Sequence, residues 1–292
     1  MGKLETIVTA DGSKTFYSEE FGETFHTKYG AKSEAEITYI KGCRLPEKFH
    51  KQKQIKILDI CYGLGYNTAA AIDYLFTFYP ESHLEIIALE LDETVPRQAL
   101  DFGLLSPWPP EISYILTTLV EKKQVITPNL NITLIIGDAR QTIQSVVAKN
   151  WLADAVFLDP FSPPKCPQLW TVEFLSLVAN CLDFNGIIAT YSAAAAVRNA
   201  LQIVGLNIGV NFCVGRRTPG TIASYNKELL PPLSQMELEH LNTKAAVPYR
   251  DPCLRDSREI IIERRRKEQL LSSLETTSKW RKRWFSQEKY VN

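Results

Sequence analysis

From residue 55 onward, short apolar runs alternate with helix-forming stretches. The runs are IKILDIC (55–61), LEIIALEL (84–91), NITLIIG (131–137), DAVFLD (154–159) and GIIATY (186–191). Their length and their Ile, Leu and Val content predict strands covered on both faces. Between them, TAAAIDYLFTF (68–78), residues 168–181 and AAAAVRNALQIVG (193–205) predict helices, the last ending at Gly205. A region broken by Pro96, Pro107, Pro109, Pro110 and Pro128 predicts two short helices. LNIGVNFCV (206–214) and TIASYN (221–226) predict a closing antiparallel pair. Strands that alternate with helices in this way define an α/β class, with a mostly parallel sheet and helices on both faces.

The chain before residue 55 reads differently. In ETIVTADGSKTFY (5–17), Asp11-Gly12 separates two β-favouring runs, a hairpin signal. AEITYIK (35–41) predicts a further strand. The expected organisation is a β-rich cap over 1–50, a core over 51–228 and a C-terminal extension over 229–292. Residues 228–256 predict irregular structure. Residues 258–283 carry nine Lys or Arg against four Glu and predict a helix reaching at least Leu274. Such a helix presents either a solvated face or a surface for RNA phosphates.

Composition narrows the function classes. Hydrophobic residues make up 45% and charged residues 23% of the 292-residue chain, globular values that argue against disorder. No apolar run reaches the roughly 20 residues needed to cross a bilayer. Met1–Ala10 has no signal-peptide core, so a cytoplasmic location and no membrane partner are expected. Cys43, Cys61, Cys166, Cys181, Cys213 and Cys253 form no CxxC pair. His26, His50, His83 and His240 show neither metal-ligand nor triad spacing, so no metal is expected. Thirty-three basic residues balance thirty-three acidic ones, so any affinity for nucleic acid must come from local charge.

Four places carry candidate chemistry. In ILDICYGLGYN (57–67), a strand ends, Gly63 and Gly65 follow, and a helix begins at Asn67; this suits a ligand-binding βα turn or one without a ligand. Glu90 ends the next strand 27 residues after Gly63, where an acid accepts hydrogen bonds from ribose hydroxyls. Asp138, followed by Ala139, ends the third run, where it could reach an adenine amino group or cap the following helix. Asp159 ends the fourth run and enters the stiff loop Pro160-Phe161-Ser162-Pro163. Acids at successive strand ends suit a neutral or cationic nucleoside better than a pyrophosphate, which favours S-adenosylmethionine.

Several segments then resemble a known family: TADGSKTFYSEEFGETFHTKYGAKSEAE, ILDICYGLGYNT, FLDPFSPPKCPQLWT, ATYSAAAAVRNAL and RDSREIIIERRRKEQ. Together they resemble the methyltransferase part of the bifunctional tRNA 5-methylaminomethyl-2-thiouridine biosynthesis protein MnmC, and more closely its stand-alone relatives. The resemblance implies a class I methyltransferase fold, S-adenosylmethionine as cofactor, and methylation of the aminomethyl group on uridine 34 of tRNA. It implies that Gly63, Gly65 and Asn67 line the methionine side of the cofactor. Glu90 then holds the ribose, Asp138 and Ala139 meet the adenine, Asp159 sits beside the transferable methyl, and Glu34 faces the cofactor. The flavin-dependent oxidase half of the bifunctional protein has no counterpart here. Two departures stand out: Lys165-Cys166-Pro167 replaces Lys-Asn-Pro, and Ala195 replaces a frequent Gly.

For the tRNA partner, Lys165, Arg198, Arg216 and Arg217 are the candidate phosphate ligands, with the basic helix as a second surface. Tyr17, Phe25 and His26 are candidates for base stacking or for core packing. Competing readings are a methyltransferase for small amines or proteins, a nicotinamide-dependent oxidoreductase, and a non-catalytic tRNA-binding module. The incomplete glycine fingerprint and Asp138 speak against the oxidoreductase. The retained acids speak against the binding module.

Overall fold

The computed structural model describes residues 4–215 and 218–285. The chain opens with β1 (Leu4–Val8), β2 (Lys14–Ser18) and β3 (Glu23–Thr24), paired antiparallel in that order. The β1–β2 hairpin turns at Asp11-Gly12, where Gly12 takes a φ of +81°. A single turn of helix, α1 (Ala31–Glu34), leads into a π-helical stretch over Ala35–Lys41, followed by α2 (Leu45–Lys51).

The strand expected at 35–41 is therefore a helix. Ala35, Thr38, Tyr39 and Ile40 are buried together. Thr38 and Tyr39 are consecutive, so a strand would send them to opposite faces. Packing against α3 (Tyr66–Phe78) and the main sheet outweighs the β-propensity of Ile37, Thr38 and Ile40.

The main sheet follows with β4 (Gln54–Ile60), β5 (His83–Glu90), β6 (Gln124–Ile126), β7 (Leu130–Ile136), β8 (Ala153–Leu158), β9 (Leu182–Thr190), β10 (Asn207–Val210) and β11 (Thr221–Ser224). The spatial order is β10-β11-β9-β8-β4-β5-β7-β6. β9, β8, β4, β5 and β7 are mutually parallel, whereas β11 and β6 pair antiparallel with their neighbours. The winding reverses between β4 and β8, which opens a crevice at their carboxyl ends. Glu90 and Asp159 both reach that edge.

Helices α4 (Thr94–Asp101) and α5 (Pro110–Lys122) fill the proline-broken region, and α6 (Ala139–Ala148), α7 (Val172–Asn180) and α8 (Ala195–Ile203) complete the crossovers. The helix expected from residue 168 begins instead with a 3₁₀ turn at Pro167–Trp170, and Thr171 caps α7 by accepting from the Phe174 N–H at 3.3 Å. One apolar cluster, including Ile55, Ile57 and Phe157, lies on one face of the sheet. A second, including Leu58, Ile60 and Trp170, lies on the other.

The C-terminal part contains α9 (Gln235–His240), α10 (Arg258–Leu271) and α11 (Thr277–Phe285). The expected long basic helix stops at Leu271, short of Leu274. Ser272 takes an extended backbone and its hydroxyl accepts from the Leu274 N–H, competing with helix continuation. The Glu275 carbonyl then accepts from the Lys244 N–H at 2.8 Å, which ties the chain down beyond the break. Among the described residues, no helix is long and apolar enough to cross a membrane.

Candidate active site

A cavity of about 540 Å³ lies between the N-terminal sheet and the carboxyl edge of β4, β5 and β8. Its volume falls in the range of small-molecule sites. Its floor is the turn after β4. Gly63 has a φ of +55° and its N–H donates to Glu90 Oε2 at 2.7 Å. The backbone there is left-handed, so a side chain would be strained. Gly65 is left-handed too, with a φ of +83°, and a Cβ there would also lie 2.6 Å from the Tyr62 hydroxyl. Gly65 is not among the residues that line the cavity.

Glu90 lies in the wall with both carboxylate oxygens engaged. Oε2 accepts from Gly63 and Oε1 accepts from the Asp92 N–H at 3.0 Å. Burial raises its pKa, and these backbone donors oppose the rise. Asp159 lies across the cavity, and its Oδ2 accepts from Asn67 Nδ2 at 3.0 Å. It sits deep in the fold, and its exposed edge opens on the cavity. Desolvation pushes its carboxyl up to about 8, the negative charge of Glu34 adds to the rise, and Tyr39 and Asn67 act against it. Asn67 is buried, and its Oδ1 has no hydrogen-bond partner. The Gly63, Asn67, Glu90 and Asp159 candidates therefore converge on one cavity.

Other candidates fall outside it. Asp138 caps α6: its Oδ1 accepts from the Arg140 N–H at 2.9 Å, and it pairs with the Arg140 guanidinium at 2.7 Å. Neither Asp138 nor Ala139 is in the cavity wall. They begin beside it, because the Gly137 N–H donates to the Glu90 carbonyl at 2.8 Å. Glu34 is not among the residues that line the main cavity. It is buried, accepts from the Thr27 N–H at 2.7 Å, and lines a separate crevice of about 10 Å³ with Thr38 and Tyr191.

Arg198 overturns an expectation. The guanidinium is 2% exposed, pairs with Glu237 at 2.9 Å and donates to Thr221 Oγ1 at 2.9 Å, so it is no phosphate ligand. It ties α8 to β11 and α9. Its burial comes from α9, which the chain supplies about 40 residues later. Arg198→Met should lower unfolding free energy by about 3 kcal/mol, since removing one partner strands the other charge. Urea titration checks this, and an unchanged midpoint would contradict it.

Lys165 is half-buried at the cavity mouth, where its Nζ would lie 3.4 Å from a Cβ on wall residue Gly22. Arg216 and Arg217 lie outside the described residues. Tyr17, Phe25 and His26 all line the cavity. Phe25 packs edge-on against Phe16 and Phe161, and Phe21 stacks on Phe161 at 4.2 Å. His26 is buried beside Tyr66, and desolvation lowers its pKa to about 4, so the ring is neutral. In the basic helix, Arg264 pairs with Asp256 at 2.6 Å, and Arg265 donates to Val247 O and stacks on Tyr249. Arg266 and Lys267 face solvent.

The structure adds wall residues that the sequence did not single out: Glu20, Glu23, Asp92 and Tyr191. Glu23 accepts from the Ser162 N–H at 3.0 Å and from its hydroxyl, which ties the N-terminal sheet to the loop after Asp159. Only Asp92 carried a signal, as an acid two residues past Glu90.

The wall thus holds five carboxylates (Glu20, Glu23, Glu90, Asp92 and Asp159) against one lysine, Lys28. That balance suits a cofactor with a ribose and a positive sulfur and opposes one with phosphates. A family model for S-adenosyl-L-methionine-dependent methyltransferases matches residues 110–226. With the fold and the acidic cavity, it defines the chain as an S-adenosylmethionine-dependent methyltransferase. The chain is 34% identical to MnmC2 of Aquifex aeolicus, covering 93% of this chain and 87% of that one with a TM-score of 0.82. It belongs to the MnmC2 methyltransferase family.

An uncharacterized protein of Methanocaldococcus jannaschii is 31% identical over 92% of this chain and 74% of its own length. A bifunctional tRNA 5-methylaminomethyl-2-thiouridine biosynthesis protein MnmC, from Polaromonas naphthalenivorans, is 30% identical over 73% of this chain and 33% of its own length. The chain spans about a third of the bifunctional relatives it matches.

Proposed function

We propose that the protein transfers a methyl group from S-adenosylmethionine to the primary amine of 5-aminomethyl-(2-thio)uridine at position 34 of tRNA. The observation that carries this reading is that the carboxylates of Asp159 and Glu90 line one cavity. The printed function of the bifunctional relatives supports the RNA substrate. A cytoplasmic location is consistent with a tRNA substrate.

Bound S-adenosylmethionine supplies an electrophilic methyl on a good leaving group. Glu90 holds the ribose while keeping its bonds to the Gly63 and Asp92 N–H groups. Asn67 fixes the orientation of Asp159. Asp159 would accept the proton that the substrate nitrogen loses on taking the methyl that S-adenosylmethionine would supply. Alignment of amine and methyl provides much of the rate. The aromatic mouth formed by Tyr17, Phe21 and Phe25 accepts the splayed wobble base.

Lys165, at the mouth, contacts a tRNA phosphate, and the exposed Arg266 and Lys267 extend the basic surface. Binding of tRNA should weaken steeply between 50 and 200 mM salt, and Lys165→Ala should reduce the slope of log K against log salt by about 1. Fluorescence anisotropy at several salt concentrations tests this. A flat response would remove tRNA from the account.

A further inference from the structure

The His26 ring has one nitrogen engaged and, among the described residues, one without a partner. His26 follows β3, is 6% exposed and lines the cavity. Its backbone is held on both sides: the N–H donates to Thr15 Oγ1 at 3.2 Å, and the carbonyl accepts from the Thr24 hydroxyl at 2.7 Å. On the ring, Nδ1 lies 3.1 Å from the same Thr15 Oγ1. Nε2 bonds to no described residue.

Hydrogen-bond accounting fixes the tautomer. Thr15 is completely buried, and its oxygen already accepts from the His26 backbone. Its hydroxyl hydrogen therefore needs an acceptor, and Nδ1 is the one it meets among the described residues. An unpaired buried hydroxyl hydrogen would carry the full desolvation penalty of that group. With Nδ1 accepting, the proton of a neutral imidazole sits on Nε2. Burial keeps the ring neutral by lowering its pKa to about 4. His26 thus brings a neutral N–H donor to an otherwise acidic wall.

That donor stands beside the glycine turn. The His26 ring lies 5.0 Å from that of Tyr66, the first residue of α3. The ring of its neighbour Phe25 would lie 3.5 Å from a Cβ on Gly63. α3 opens in the same wall at Asn67, with the first N–H groups of the helix and the positive end of its dipole. Carboxylates suit the ribose and the sulfonium, but they repel the one anionic group of the cofactor, its α-carboxylate. That group needs donors of its own. A neutral donor supplies one without placing a second positive charge near the sulfonium.

We propose that His26 binds the α-carboxylate of S-adenosylmethionine through Nε2–H, with Thr15 as the positioning residue that fixes the tautomer. The inference rests on the assignment of this cofactor to the cavity and not on the RNA substrate.

The test is isothermal titration of the full chain with S-adenosylhomocysteine and with 5′-methylthioadenosine, which keeps the adenosine and the sulfur and lacks the amino-acid end. His26→Phe keeps an aromatic ring and removes both nitrogens. It should weaken S-adenosylhomocysteine about tenfold or more and 5′-methylthioadenosine less than about twofold. His26→Gln, whose amide can place an N–H near the Nε2 position, should recover part of the loss. Equal losses for the two ligands, or unchanged affinity for S-adenosylhomocysteine, would overturn the proposal. A wild-type protein that binds neither ligand would overturn the cofactor assignment beneath it. A second measurement needs no variant of His26. In spectra of the wild type carrying ¹⁵N-labelled histidine, His26 should show the neutral Nε2–H tautomer, and its Nε2 signal should shift with S-adenosylhomocysteine and stay in place with 5′-methylthioadenosine. Thr15→Val should mix the two tautomers. A wild-type ring protonated at Nδ1, or the same Nε2 shift with both ligands, would contradict the assignment.

Discussion

Asp159→Ala is expected to lose 10²- to 10⁴-fold in turnover on tRNA bearing aminomethyl uridine, with cofactor affinity changed much less. The asymmetry follows from geometry. Asp159 bonds to Asn67 and to no part of the glycine turn, so its loss leaves the Gly63–Glu90 framework intact. Asp159→Asn separates chemistry from shape. It retains the volume and a hydrogen bond to Asn67 and removes the proton acceptor, so it should be nearly as slow as the alanine variant. Single-turnover kinetics with saturating cofactor measure the chemical step. Near-normal rates in both variants would eliminate Asp159 as the acceptor.

Glu90→Ala is expected to act on binding. Two charge-assisted hydrogen bonds to ribose hydroxyls, each worth about 1.5–3 kcal/mol, correspond to a loss of cofactor affinity of about 10²-fold or more. A second contribution comes from the protein itself. Removing the carboxylate strips an acceptor from the Gly63 and Asp92 N–H groups. The turn that forms the cavity floor should then loosen. Glu90→Gln, which keeps one acceptor oxygen, should fall between alanine and wild type. Isothermal titration with S-adenosylhomocysteine reports the effect without turnover. Unchanged affinity in Glu90→Ala would remove this residue from the site.

The parts of the fold legible in the sequence were those whose physics is local. Strands β4, β5, β7, β8 and β9 are covered on both faces, so each contains a short, predominantly apolar run. Glu90 and Asp159 were legible because each is an acid at the carboxyl end of such a run, the edge where ligands bind in this class of sheet. What failed depended on distant chain. The 35–41 stretch has strand-like composition, and only its contacts with α3 and β9 make it helical. Edge strand β6 is three residues long and too short to show a period. Arg198 resembles an exposed cation at a helix start until α9 brings Glu237 over it. Gly65 matches a ligand-binding pattern, and its left-handed backbone and the Tyr62 ring beside it both require glycine.

The central claim is methyl transfer to the aminomethyl group at the wobble uridine. Its most direct test is incubation of the protein with labelled S-adenosylmethionine and tRNA carrying 5-aminomethyl uridine at position 34, followed by digestion and nucleoside analysis. The account predicts that label appears on that nucleoside as one added methyl, and that Asp159→Ala lacks it. No transfer by a protein that binds the cofactor would contradict the substrate assignment and turn the search to small amines.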